Sequence, residues 1–100
     1  MAKKYDEIVD DINTHLTKSS RKYYSDFYIG VSNNATKSLF EDHHVDAQHT
    51  WWIYRTATSA SVARDVQSYF IDLGMRGENK IVDTAAKMVY CYAVGPTTSE

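Results

Sequence analysis

One hundred residues, 43% hydrophobic and 24% charged, describe one small globular domain with apolar material for a single core and none to spare. A formal net charge of -2 argues against a general polyanion-binding protein, while leaving room for a local basic face. No apolar run reaches transmembrane length, the first residues carry no secretory segment, and the lone Cys91 excludes an intrachain disulfide, so a cytoplasmic protein that meets no membrane is expected.

Residues 3–18 read as an N-terminal helix. Tyr5, Ile8, Val9, Ile12 and Leu16 fall on one stripe at helical spacing. Asp6, Glu7, Asp10 and Asp11 fill the rest of its first half, where the helix dipole favours them. A polar, basic stretch follows, in which Lys18, Arg21 and Lys22 form either a solvated loop or a rim that touches phosphate.

The core is expected over 23–94. Tyr23 to Ser32 is strand material, since Phe27, Tyr28, Ile29 and Val31 suit a pleated, half-buried surface. Gly30 interrupts it, and a glycine inside a strand marks a bulge or a group that approaches the backbone closely. Ser32, Asn33 and Asn34 are helix caps. They start a second helix to about Asp42, with Ala35, Leu39, Phe40 and His43 at helical spacing. His43 points toward the sheet mouth beside Tyr28, or else is a half-buried histidine bonded to a backbone carbonyl.

Trp51 to Thr56 is the next strand, with Trp51, Ile53 and Arg55 on one face and Trp52, Tyr54 and Thr56 on the other. One tryptophan packs against helices and its neighbour caps an open face, where stacking on bases competes with plain core packing. Caps at 58–61 begin a third helix whose buried stripe is Val62, Val66, Tyr69, Phe70 and Leu73, ended by a left-handed Gly74. Met75 to Lys87 reads as a polar loop with one turn around 84–86. Met88 to Val94 is the last strand, presenting Met88, Tyr90, Tyr92 and Val94 on one side and Val89, Cys91 and Ala93 on the other. Residues 95–100 make a loose tail. The class is α+β: one small domain, with a three-stranded, mainly antiparallel sheet covered by three helices.

The sequence Tyr28-Ile29-Gly30-Val31-Ser32, followed by a helix with Leu39 and His43, resembles the second half of the GIY-YIG nuclease domain. The likeness is densest from Tyr28 to His43 and continues, in order of elements, to about Leu73. It implies the same layered fold. It also implies a site for phosphodiester hydrolysis built from a tyrosine, a helix arginine and a metal-holding glutamate. Each role has a reason, because negative charge accumulates on the phosphorane-like transition state and a hard cation needs an anionic oxygen.

Carried over residue by residue, the resemblance keeps Tyr28 and Gly30. The arginine position falls on Ser38, with Lys37 immediately before it and aimed about 100° away. The glutamate position falls on Gln67, while Asp65 projects from nearly the opposite side. The GIY half has no room upstream of Tyr28, although Tyr90 or Tyr92 could supply a substitute tyrosine. The expectation is a catalytically degenerate GIY-YIG-like domain. It would bind a phosphate-bearing ligand (nucleic acid or nucleotide) or a macromolecular partner, without metal or other cofactor. Its contacts would be Tyr28, Gly30, Lys37, Ser38, His43, Arg55, Arg64 and Gln67, with Lys18, Arg21 and Lys22 as the rim. An altered nuclease using Tyr28, His43 and Asp65 with Mg²⁺ or Mn²⁺ is one alternative. A protein-interaction or inhibitor module with Trp52 and Tyr92 at its centre is the other. The cluster around His43, His44, Asp46 and His49 has no geometry for a zinc site.

Overall fold

The computed structural model of the chain describes residues 2–19, 23–46, 48, 51–77, 85–95 and 98. Helix α1 spans Tyr5–Thr17, and at its start the Lys4 amide donates to the Glu7 carboxylate at 3.0 Å. Its apolar stripe does what the spacing predicts. Ile8 and Ile12 are fully buried, with Tyr5, Val9 and Leu16 packed alongside.

Strands β1 (Phe27–Ser32), β2 (Trp52–Thr56) and β3 (Met88–Ala93) form one antiparallel sheet in the order β1-β3-β2. Side chains alternate across it, so each strand feeds two different cores. Phe27, Ile29, Ile53, Val89 and Cys91 join Ile8, Ile12, Ala63, Val66 and Phe70, which puts α1 and helix α3 (Ala60–Asp72) on one face. Tyr28, Tyr90 and Tyr92 join Ala35, Leu39 and Val45 on the other. There the cover is helix α2 (Ala35–Lys37), which widens into a π-helical turn over Ser38–Asp42. The fold is therefore α+β, a small domain of three helices around a three-stranded antiparallel sheet. Among the described residues no helix is long and apolar enough to cross a membrane.

The structure departs from the sequence reading at four places. Residues Tyr24–Asp26 are a 3-10 turn, not strand. The Asp26 amide donates to the Tyr23 carbonyl and the Asp26 carboxylate accepts from the Tyr23 amide, closing the turn locally. On α3 the buried line is Ala63, Val66, Gln67 and Phe70, whereas Tyr69 is 37% and Leu73 43% exposed. The covered face is turned toward Ala63 and Gln67, with Val62 and Ile71 packed at its margins. Met75, expected in a polar loop, is buried with its sulfur 3.7 Å from Cys91 Sγ. Just after it, Arg76 runs along the free edge of β1: its amide donates to the Phe27 carbonyl and its carbonyl accepts from the Ile29 amide. At the C-terminal end the Thr98 amide and hydroxyl both donate to the Gly95 carbonyl, and the rest of 96–100 lies outside the described residues.

Three elements meet at Asp11. Lys3 Nζ and Arg55 Nε both lie 3.0 Å from its Oδ2, joining the N-terminal segment, α1 and β2. The Lys3 hydrogen bond, seconded by Arg55, holds the Asp11 carboxyl below its ordinary range against the opposing effect of burial. A carboxyl depressed in the folded state contributes stability that is present above its unfolded pKa and lost as pH falls through the folded one. The pair is partly solvent-exposed, so the contribution is about 1 kcal/mol or less. Asp11→Asn is expected to lower the urea midpoint slightly at neutral pH and to match wild type in strong acid. An equal gap at both pH values would count against the linkage.

Candidate functional site

The second sheet face carries two cross-strand rows. Tyr92 on the central strand lies between Tyr28 and Trp52, and Tyr90 lies between Gly30 and Tyr54. The missing side chain in the second row decides the geometry. A Cβ built on Gly30 would sit 2.4 Å from both Cζ and the hydroxyl of Tyr90, so the phenol occupies the space that any other residue would fill. The sequence reading of Gly30 as a point of close approach is the correct one, and the approaching group is Tyr90.

His43 closes the cluster. Its Nε2 is 2.9 Å from the Tyr90 hydroxyl and its Nδ1 is 3.0 Å from the Tyr92 hydroxyl. The imidazole also packs on Tyr28 with ring centres 4.9 Å apart, and Tyr28 stacks on Tyr92 at 5.3 Å. His43 is half-buried, while Tyr28 and Tyr90 keep 8% and 6% exposure. The partners seen at its two ring nitrogens are phenols.

The local chain explains why His43 arrives here. Asn34 Oδ1 accepts from the Lys37 amide and starts α2, as its cap chemistry predicts. The His43 amide then donates to the Ser38 carbonyl, five residues back, and the Leu39 carbonyl accepts from Val45 instead. This π turn re-aims the residues that follow it, a distortion often found where side chains have work to do. Next in line, His44 takes a left-handed conformation with φ 56, which turns the chain away. Ser38 itself donates its hydroxyl to Ser32 at 2.7 Å, at the lip of the same face.

Of the expected contacts, the structure gathers Tyr28, Gly30, Ser38 and His43, with Lys37 exposed on α2 beside them. Others go elsewhere. Gln67 is buried on α3, and its amide donates to the Ile29 carbonyl at 3.4 Å from the helix-covered side. A neutral amide already bonded there does not fit a divalent cation on the tyrosine face. Arg55 sits on Asp11, on the face opposite Tyr28. Arg64 and Asp65 belong to α3 on that same helical layer. Lys18 is exposed at the end of α1, and Arg21, Lys22 and His49 lie outside the described residues. Among the described residues no three of His, Cys, Asp or Glu converge as a metal site would require. Cys91 is fully buried, which pushes its thiol far up and removes it as a nucleophile.

No family model, curated protein or solved structure matches the chain. Sequence reasoning named Tyr28 and His43, offered Tyr90 or Tyr92 as a substitute for one tyrosine, and set Tyr92 with Trp52 in the protein-interaction alternative. It missed that Tyr90 and Tyr92 bond the same imidazole. The alternation Met88, Tyr90, Tyr92 opposite Gly30 was the available signal, once the two strands are paired. It also left open which tryptophan faces outward. Trp51 packs on Phe27 and donates Nε1–H to the His15 carbonyl, whereas Trp52 stacks on Tyr54 at 6.1 Å with rings 6° from parallel. Phe40 supports Trp52 edge-on at 5.1 Å.

Proposed function

We propose that the chain is a GIY-YIG-like domain that no longer cleaves phosphodiesters and that binds a phosphate-bearing ligand, nucleic acid or nucleotide, across the tyrosine face of its sheet. The observation that carries this reading is the convergence of Tyr28, Tyr90 and Tyr92 on His43, beside the Ser32–Ser38 hydroxyl pair. Phenol and serine hydroxyl groups donate to phosphate oxygens. The guanidinium and carboxylate that the resemblance implies are not at their counted positions, because Ser38 holds the arginine position and Gln67 faces the other side. Lys37 supplies attraction as a point charge, without the two-pronged guanidinium fork. The same reading places the domain in the cytoplasm, where nucleotides are found and a buried thiol stays reduced.

Binding of a fluorescent single-stranded oligonucleotide is expected to weaken steadily with added salt, as condensed counterions are released. Tyr28→Phe is expected to weaken it by about fivefold, the worth of one hydrogen bond of about 1 kcal/mol. Neither DNA nor RNA should be cut in Mg²⁺ or Mn²⁺. Metal-dependent scission lost in Tyr28→Phe would replace this reading with the altered nuclease. The stacked Trp52–Tyr54 pair on edge strand β2 favours a second reading, a protein-binding module. Absence of oligonucleotide and nucleotide binding at low salt, with a protein partner lost in Trp52→Ala, would select it.

A further inference from the structure

We propose that protonation of His43 reverses the hydrogen-bond polarity of the tyrosine face and so tightens its hold on anions. This inference rests on the functional reading above for the identity of the ligand, but its first step concerns the protein alone.

Both imidazole nitrogens are engaged by phenols, at 2.9 Å to Tyr90 and 3.0 Å to Tyr92. A neutral imidazole has one N–H and one bare nitrogen. It therefore donates to one of these hydroxyls and accepts from the other. When a proton from solvent adds to the bare nitrogen, both nitrogens become donors. The hydroxyl that had been donating into the ring must rotate about its C–O bond, accept instead, and send its own hydrogen elsewhere. No covalent bond to carbon breaks, and the net change is one proton taken up. The result is one added positive charge on the half-buried ring and one phenol hydrogen, from Tyr90 or Tyr92, that no longer points into it. The added charge favours an anion at this face.

Imidazole is the side chain that ordinarily titrates between about pH 5 and 8. Among the described residues, titratable groups packed on the His43 ring include Tyr28 from β1 and Tyr90 and Tyr92 from β3. Its own segment adds exposed Glu41, Asp42 and His44, α2 adds exposed Lys37, and β2 adds Tyr54. His44 is the neighbouring imidazole on the same segment, so it is the control that matters.

The test is the binding of a fluorescent oligothymidylate of about ten nucleotides at about pH 8 and about pH 5.5, at fixed ionic strength. Its phosphodiesters keep their charge across that interval. Affinity is expected to rise about fivefold on acidification, a modest coupling between two sites. His44→Asn should keep this response, because asparagine tolerates the left-handed backbone, and His43→Gln should lose it. By reciprocity the oligonucleotide should raise the His43 titration midpoint, read by NMR on the wild-type protein, by about 0.7 pH unit. That measurement stands even where His43→Gln does not fold. An unchanged midpoint, or an undiminished pH response in a folded His43→Gln, would overturn the proposal. If the oligonucleotide binds at neither pH, the functional reading fails on its own. The ligand-free NMR titration then decides the polarity reversal: Tyr90 and Tyr92 ring resonances that move with His43 support it, and rings that stay fixed reject it.

Discussion

Gly30→Ala is expected to destabilise the domain by about 2–3 kcal/mol and to abolish the bond between Tyr90 and His43. In an ordinary strand the same change is favourable by about 0.5–1 kcal/mol, because glycine surrenders more backbone entropy. The sign is reversed here because the new methyl would lie 2.4 Å from the phenol oxygen and carbon of Tyr90 and 2.8 Å from Cε1. Those atoms belong to a rigid, buried ring anchored at its far end by an imidazole, so they cannot swing aside as a lysine tip would. Urea denaturation measures the loss, and a double-mutant cycle identifies the cause. With Tyr90→Ala already present, Gly30→Ala should cost nothing or stabilise slightly, giving a coupling of about 2 kcal/mol or more. Additive effects would mean that the glycine is needed for some other reason, and the account of the tyrosine face would lose its keystone.

That glycine also shows how far the sequence could be read. Its placement in a strand announces a close approach, but not by what. The visitor, Tyr90, comes from a strand that begins 58 positions later, and only the pairing register joins them. Local chemistry was legible: Asn34 and Ser59 cap their helices, Gly74 has φ 110, and alternation assigns the β3 faces correctly. His43 was placed beside Tyr28 by helical spacing, although the helix is not α-helical there. Leu39 and His43 share a stripe in either geometry, so the π turn left no mark on the pattern. Two expected contacts, Gln67 and Arg55, lie on the other side of the sheet. Gln67 was assigned by counting along the chain from a resemblance and Arg55 by its charge, and neither carries information about which side of a sheet a residue serves. Alternation did place Arg55 opposite Tyr54. Asp11, one of four acids on an acidic helix, gave no sign that it would be the one to receive it.

The largest stability loss is expected from Phe70→Ala, at about 3–5 kcal/mol. Phe70 is fully buried where α3 meets the sheet, with Tyr24 tilted on it at 6.2 Å and Tyr69 edge-on at 5.1 Å. A domain of this size has about 5–15 kcal/mol in all, and each kcal/mol shifts its melting temperature by about 4–8 °C. The variant should therefore melt at least about 12 °C lower. Leu73→Ala is the informative comparison, since hydrophobic spacing puts both residues on one stripe. Leu73 is 43% exposed beyond the last turn, so its truncation should cost under about 1 kcal/mol. The contrast fixes the rotation of α3 about its own axis. Gln67 lies one turn before Phe70 on the same buried line, and its bond to the Ile29 carbonyl depends on that rotation. Equal losses at the two positions would mean a helix turned toward Leu73. That would free the Gln67 amide from the sheet edge and reopen the question of what it faces.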